Sequence, residues 1–170
     1  MLGGTIAALT AALLGSLWPT FQSAAGPVIQ EGDQAPEFAL TSDAGRPIQL
    51  QDFAGKFLVL NFWATWCPPC LEELPSLNRF HIRYAPQGVV VLGVSVDEDR
   101  KAYQDLVEHA GVSFPTVRDP ERKVSRLYGT FKYPETYVIS PQGRVVRKII
   151  GPRDWGDSTI VEMMESLLKG

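Results

Sequence analysis

The chain has 170 residues, 45% hydrophobic and 21% charged, with a formal net charge of −3. That length suits one domain with a substantial core and falls short of two ordinary ones. The slightly acidic balance carries no basic footprint, which argues against nucleic acid as a partner.

Residues 1–25 contain no charged side chain, and Leu2–Trp18 is apolar or small throughout. Ser23-Ala24-Ala25 before Gly26 has the small-residue character of a signal-peptidase site. About 17 apolar residues lie at the lower limit of a membrane span. The segment therefore reads as a cleaved signal or an uncleaved N-terminal anchor, with a buried N-terminal helix as the alternative. Either of the first two places residues 26–170, the folded domain, on the periplasmic or other extracytoplasmic face of a membrane.

Ala35–Leu40 reads as a short strand and Ile48–Leu50 as its hairpin mate, joined through Asp43-Ala44-Gly45. Phe57–Trp63 is a nearly unbroken apolar run, the pattern of a strand covered on both faces in a parallel sheet. The chain's only two cysteines, Cys67 and Cys70, follow directly. Pro68 and Pro69 between them suit the first turn of a helix, where a missing N–H costs nothing. Cys67 then sits at a helix N-terminus, where the macrodipole favours thiolate.

That arrangement reads as a redox dithiol. A structural disulfide across so small a loop would constrain little of the unfolded chain. Zinc would need two further ligands, and His81 and His109 are far from finger spacing. Leu71 stands where haem attachment requires His, and copper chaperones of the Sco type place three residues between their cysteines. No metal and no cofactor are expected.

Leu71, Leu74 and Leu77 give the following helix one buried stripe. Pro75 predicts a kink, and the helix should end near Tyr84–Gly88. His81 on it reads as a packed or surface residue. Val89–Val96 is a second buried strand, completing a βαβ unit. Asp97-Glu98-Asp99 reads as the acidic opening of a helix, complementing its dipole. Tyr103, Leu106, Val107 and Ala110 form that helix's inner face, and Gly111 closes it. His109 then lies at its C-terminus. Asp119-Pro120 predicts an N-cap followed by proline in the first helical position, with Gly129 ending the short helix. Thr136–Ile139 and Val145–Ile150 form a hairpin around Pro141-Gln142-Gly143. Ile160, Met163, Met164, Leu167 and Leu168 line the inner face of a last helix, where the two methionines are core residues.

With these residues in view, the chain from about Gly32 to Leu168 resembles the thioredoxin superfamily, and within it the TlpA/ResA/CcmG group of exported thiol–disulfide reductases. The likeness rests on Phe62-Trp63-Ala64-Thr65-Trp66-Cys67-Pro68-Pro69-Cys70, on Pro75, and on Tyr133-Pro134-Glu135-Thr136. It implies an α/β fold with a central mixed sheet flanked by helices, an N-terminal β-hairpin and a central helical insertion around residues 99–110. Gly32–Phe38 also resembles the start of peroxiredoxins, but their active-site pattern needs a proline where Asn61 stands.

The resemblance implies that Cys67 attacks a substrate disulfide and that Cys70 resolves the mixed disulfide. It implies that Pro134 is the cis-proline beside them, with Trp66 and Tyr133 in the substrate-binding surface. Thioredoxin's buried aspartate is matched by Asn61, which cannot take a proton. Glu73 matches the active-site glutamate of ResA-like proteins, and Glu135 matches the acidic residue after the cis-proline of CcmG-like ones. Either is a candidate proton acceptor. Because Pro68 and Pro69 withhold two N–H donors, the thiolate of Cys67 should be stabilised only modestly, which suits a reductant more than a strong oxidant such as DsbA.

Expected partners are protein disulfides, apocytochrome c among the candidates, and an upstream membrane thiol donor, with a membrane tether through the N-terminus. A general oxidant or isomerase of the same fold is the alternative, as is a non-catalytic apoprotein-binding module.

Overall fold

The computed structural model describes residues 28–170, so the signal or anchor reading of residues 1–25 lies outside the described residues. Among the described residues, no helix is long and apolar enough to cross a membrane.

Strands β1 (Ala39–Thr41) and β2 (Pro47–Gln49) form the expected antiparallel hairpin, with Leu40 opposite Ile48. The first strand starts later than the Ala35–Leu40 pattern predicts. The stretch before it is used elsewhere: the Ala35 N–H donates to the Gly143 carbonyl at 2.8 Å, and Gly32 and Asp33 exchange backbone bonds with Val145. A 3-10 turn at Leu50–Phe53 leads into β3 (Phe57–Trp63), which matches the apolar run end to end.

Helix α1 spans Pro68–Tyr84. It continues past Pro75, whose ring is on the exposed side and whose missing N–H falls opposite the Leu71 carbonyl. Strand β4 (Val89–Ser95), helix α2 (Arg100–His109), strand β5 (Thr116–Arg118) and helix α3 (Lys123–Leu127) follow. Strands β6 (Glu135–Ile139) and β7 (Val145–Ile150) and helix α4 (Ser158–Lys169) complete the chain.

The middle section departs from the sequence pattern twice. Strand β5 has no signal of its own, because three residues after Pro115 are too few to show a period. The Asp119-Pro120 cap is also displaced. Helix α3 begins only at Lys123, behind Arg122 in the left-handed region at φ 54°. Asp119 still serves the helix, from further back: its carboxylate accepts the N–H groups of Lys123 and Ser125, each at 2.8 Å. A carboxylate reaching both of these groups holds the chain in a loop that a simple N-cap would not need.

The five-stranded sheet has the order β5-β4-β3-β6-β7. β3, β4 and β5 are mutually parallel, while β6 runs antiparallel to both β3 and β7. Because side chains alternate along a strand, β3 feeds two cores. Val59 and Trp63 pack with Leu74, Leu77 and Phe80 of α1, Tyr103 of α2, and Ile160 and Met164 of α4. Leu58, Leu60 and Phe62 pack on the other face with Phe38, Leu50, Val124, Tyr128 and Tyr137. His81 packs its ring against Phe114, with burial lowering its pKa, and the exposed His109 contacts the Asp105 carbonyl within its own helix. The fold is thus the one the sequence resembles: a mixed central sheet between helices, preceded by a hairpin and interrupted by α2.

Candidate active site

Strand β3 ends at Trp63, and the chain turns through Ala64–Cys67 into α1, the Cys67 N–H donating to the Ala64 carbonyl at 3.2 Å. Cys67 is the N-cap and the two prolines occupy the first helical positions. The Cys70 and Leu71 N–H groups both turn onto the Cys67 carbonyl, at 3.0 and 3.2 Å. Cys67 and Cys70 are joined as a disulfide with Cα atoms 5.3 Å apart. Cys67 retains slight exposure at 6%, and Cys70 has none. Among the described residues, no cluster of His, Cys, Asp and Glu could hold a metal ion.

The Tyr133–Pro134 peptide bond is cis. Pro134 is buried at the start of β6, Tyr133 is half-buried, and Trp66 is 57% exposed. The rings of Trp66 and Tyr133 meet edge to face with centroids 6.0 Å apart. The three residues read as a substrate surface therefore belong to one region of the molecule.

Glu73 lies one helical turn after Cys70 and is only 3% exposed. Asn61 Nδ2 donates to its Oε1 at 2.8 Å, and the Arg153 N–H donates to its Oε2 at 3.1 Å. Burial pushes the Glu73 carboxyl above its ordinary value. Donors from Arg153 and Asn61 and the nearby Trp155 indole, together with the Arg153 charge, offset part of that rise. The buried Trp155 indole N–H makes no well-formed hydrogen bond among the described residues and lies near enough to the carboxylate to lower its pKa. A cleft of about 220 Å³ lined by Glu72, Glu73, Pro152, Arg153 and Asp154 lies beside the carboxyl.

Glu135 is just as buried, at 2%, but belongs to the opposite face of the sheet. It pairs across β3 with Phe62, whereas Asn61 and Thr136 form the neighbouring pair facing α1. Its Oε1 accepts from Lys148 Nζ at 3.0 Å and from the Tyr137 hydroxyl at 2.9 Å. Of the two glutamates singled out in the sequence, the fold brings Glu73 to the dithiol's helix and faces Glu135 away from it.

Sequence reasoning missed two supports. Ser76 ties the loop before α4 to α1: its hydroxyl donates to the Glu73 carbonyl at 2.9 Å and accepts from the Trp155 N–H at 3.1 Å. Asp97, read as part of a dipole-complementing run, is 2% exposed and bonded to Thr65, two residues before Cys67. Asp99 alone caps α2, accepting from the N–H groups of Lys101 and Ala102. The available signal was that one helix has one N-cap, so three acids in a row leave carboxylates for other work.

A closely spaced, disulfide-forming cysteine pair at a helix N-terminus, beside a cis-proline on such a sheet, defines a thioredoxin-like thiol–disulfide oxidoreductase. The sequence model described as the AhpC/TSA family matches residues 31–148. The thiol-disulfide oxidoreductase ResA of Bacillus subtilis (strain 168) is 39% identical over 123 residues, covering 72% of this chain and 69% of that protein. ResA of Geobacillus thermodenitrificans (strain NG80-2) is 39% identical over 120 residues, covering 71% and 69%. Among solved structures, one from Chlorobium tepidum assigned as a thiol:disulfide interchange protein DsbE superposes with TM-score 0.77 at 28% identity, covering 82% of this chain and 99% of that one. The chain belongs to the AhpC/TSA family, among its ResA-like thiol–disulfide oxidoreductases.

Proposed function

We propose that the protein is an exported reductase of protein disulfides. Cys67, the more exposed sulfur, attacks a substrate disulfide as thiolate; one substrate sulfur leaves as thiolate and the other is held in a mixed disulfide with Cys67. Cys70 then gives up its proton and attacks the Cys67 sulfur. The mixed disulfide breaks, the second substrate thiolate leaves, and the Cys67–Cys70 disulfide remains. Two electrons have passed to the substrate, and a thiol donor at the membrane must return them.

The observation that carries this reading is Glu73, a buried carboxyl one helical turn after Cys70 and held by donors on both oxygens. A carboxyl raised by burial is a better acceptor for the Cys70 proton than an ordinary one, and a cleft lined by Glu73 and Arg153 opens beside it. Trp66, Tyr133 and Pro134 frame the substrate around its cysteine. Glu135 braces the strand behind Pro134 and takes no proton from the dithiol. The uncharged residues 1–25 support export or anchoring outside the cytoplasm. Apocytochrome c is the substrate class we assign first, a reading that rests on the likeness to exported reductases of the TlpA/ResA/CcmG group.

The test is the reduction potential of the Cys67–Cys70 couple. A value near thioredoxin's, about −270 mV, fits a reductant, and one near about −120 mV marks an oxidant. A phosphatase fused to the C-terminus should be active outside the cytoplasm; an inactive fusion removes export.

A further inference from the structure

The turn that delivers Cys67 to α1 is held from the side by a buried carboxylate. Asp97 follows the end of β4 and sits 2% exposed beside that turn. Its Oδ2 accepts the Thr65 N–H at 2.9 Å and the Ser95 hydroxyl at 2.6 Å, and its Oδ1 accepts the Thr65 hydroxyl at 2.7 Å. The base of this clamp is itself fixed. The Asp97 N–H donates to Ser95 Oγ at 3.0 Å, and the Val96 N–H donates to the Trp63 carbonyl at 2.9 Å, tying the end of β4 to the end of β3.

We propose that Asp97 is a positioning residue for the redox reaction: by pinning Thr65 it sets where Cys67 and Trp66 stand. The turn offers little else to hold it, because a single backbone bond among the described residues, Cys67 N–H to Ala64 carbonyl, spans it. Thr65 is the middle of that turn. Trp66 beside it is mostly exposed, with the Tyr133 edge as its stacking partner. Burying a carboxylate is costly unless donors surround it, and here all three bonds that reach the turn, two from the shared Thr65 N–H and one from its hydroxyl, end on the residue two positions from the attacking sulfur. A misplacement of about 1 Å in an attacking group can cost about 10²-fold in rate.

The proposal rests on the dithiol being the reactive pair and is independent of the direction of electron flow. Two substitutions isolate it. Asp97→Asn loses the charge but can keep the shorter bonds: with Oδ1 turned toward the Thr65 N–H and Ser95 hydroxyl, its Nδ2 donates to Thr65 Oγ1, and only the longer arm of the bifurcated Thr65 N–H bond is lost. Asp97→Ala loses charge and bonds together. Since both are neutral, the difference between them reads the bonded side-chain amide with the charge held constant.

In the reduced full-length chain we expect Asp97→Ala to slow iodoacetamide alkylation of Cys67, and to lower kcat/KM for insulin disulfides about tenfold to a hundredfold. Asp97→Asn should restore most of both. Equal behaviour of the two variants, unchanged or equally impaired, overturns the proposal. Should Asp97→Ala not fold, Thr65→Val and Ser95→Ala make the same comparison. Thr65→Val removes the hydroxyl bond at the turn itself, whereas Ser95→Ala removes two bonds at the base of the clamp and leaves both Thr65 groups free to bond Asp97. Thr65→Val must then slow alkylation more than Ser95→Ala does, and equal rates or the reverse order sink the idea. Alkylation needs no protein substrate, so a wild-type chain that fails to reduce insulin counts against the reductase reading and leaves the Asp97 comparison decisive.

Discussion

The side-chain amide of Asn61, in the middle of β3, donates to Glu73 Oε1 at 2.8 Å, joining the sheet to α1 one helical turn after Cys70. The same nitrogen donates to Thr136 Oγ1 at 2.9 Å on β6. The amide oxygen has no partner among the described residues. Where thioredoxin has a carboxyl, this chain has a neutral donor, and the carboxyl that meets it comes from the helix.

Glu73→Gln should therefore separate stability from rate. The new amide can satisfy the site. If the Asn61 amide turns over, its oxygen accepts from the introduced NH₂ group and from the Thr136 hydroxyl. The introduced amide oxygen then accepts from the Arg153 N–H. Burial raises the Glu73 pKa above its ordinary 4.5, so the folded state favours the protonated form. Stability associated with that proton is present below the ordinary value and lost as pH rises through the folded one. The variant should thus be more stable than wild type at neutral pH, with the gap closing as the pH falls toward that of an ordinary carboxyl. Resolution of the mixed disulfide should slow by about 10²–10⁴-fold. Thermal midpoints across pH and stopped-flow decay of the mixed disulfide measure the two. Unchanged decay removes Glu73 from the mechanism.

Asn61→Asp puts a second carboxyl within hydrogen-bond distance of the first. Two such groups cannot both ionise cheaply, and the pair titrates as a unit with one apparent pKa strongly raised. Resolution should be slower at neutral pH and recover at higher pH, and the thermal midpoint at neutral pH should drop. A decay profile identical to wild type would show that positions 61 and 73 do not share a proton site.

The residues that carry the chemistry were legible because their signals are local. The apolar run of β3, the two prolines in the first turn of α1 and the single cysteine pair all fall between Phe57 and Cys70. Position along the chain says nothing about which side of a sheet a lone carboxyl meets. Glu73 and Glu135 look alike as sequence, each close to an active-site motif. Only the pairing of β3 with β6 puts Asn61 and Thr136 on the helix side and Glu135 on the other. Asp97 was hidden for a similar reason. Its partner Thr65 is 32 residues away, and the acidic neighbours Glu98 and Asp99 supplied a simpler reading.

Gly93 is a packing constraint beneath the site. A Cβ there would meet Phe114 Cε2 at 3.0 Å, Trp63 Nε1 at 3.1 Å and Thr116 Cγ2 at 3.3 Å. All three neighbours are ring or branched side-chain atoms, and Trp63 is fully buried. Gly93→Ala should destabilise the domain by about 1–3 kcal/mol through overpacking. Chemical denaturation of wild type and variant measures this, and equal midpoints would mean that Trp63 moves aside freely.

Behind Pro134, Lys148 and Glu135 form an ion pair with side-chain exposures of 8% and 2%. Lys148 Nζ also donates to the Ile29 carbonyl at 2.9 Å, and the Tyr137 hydroxyl donates to Glu135. The pair thus joins β6 and β7 to the first described residues of the chain. Lys148→Met should cost about 3–5 kcal/mol, because a buried carboxylate loses its cation. Combining it with Glu135→Gln should recover most of that loss, since the amide oxygen still accepts from Tyr137 and no charge is left unpaired. The double variant should also resolve mixed disulfides at close to the wild-type rate, because Glu135 faces away from Asn61 and Glu73. Denaturation midpoints of the two single variants and the double variant test the pair, and mixed-disulfide decay tests the orientation. If decay slows in Glu135→Gln more than in Glu73→Gln, the proton passes to Glu135.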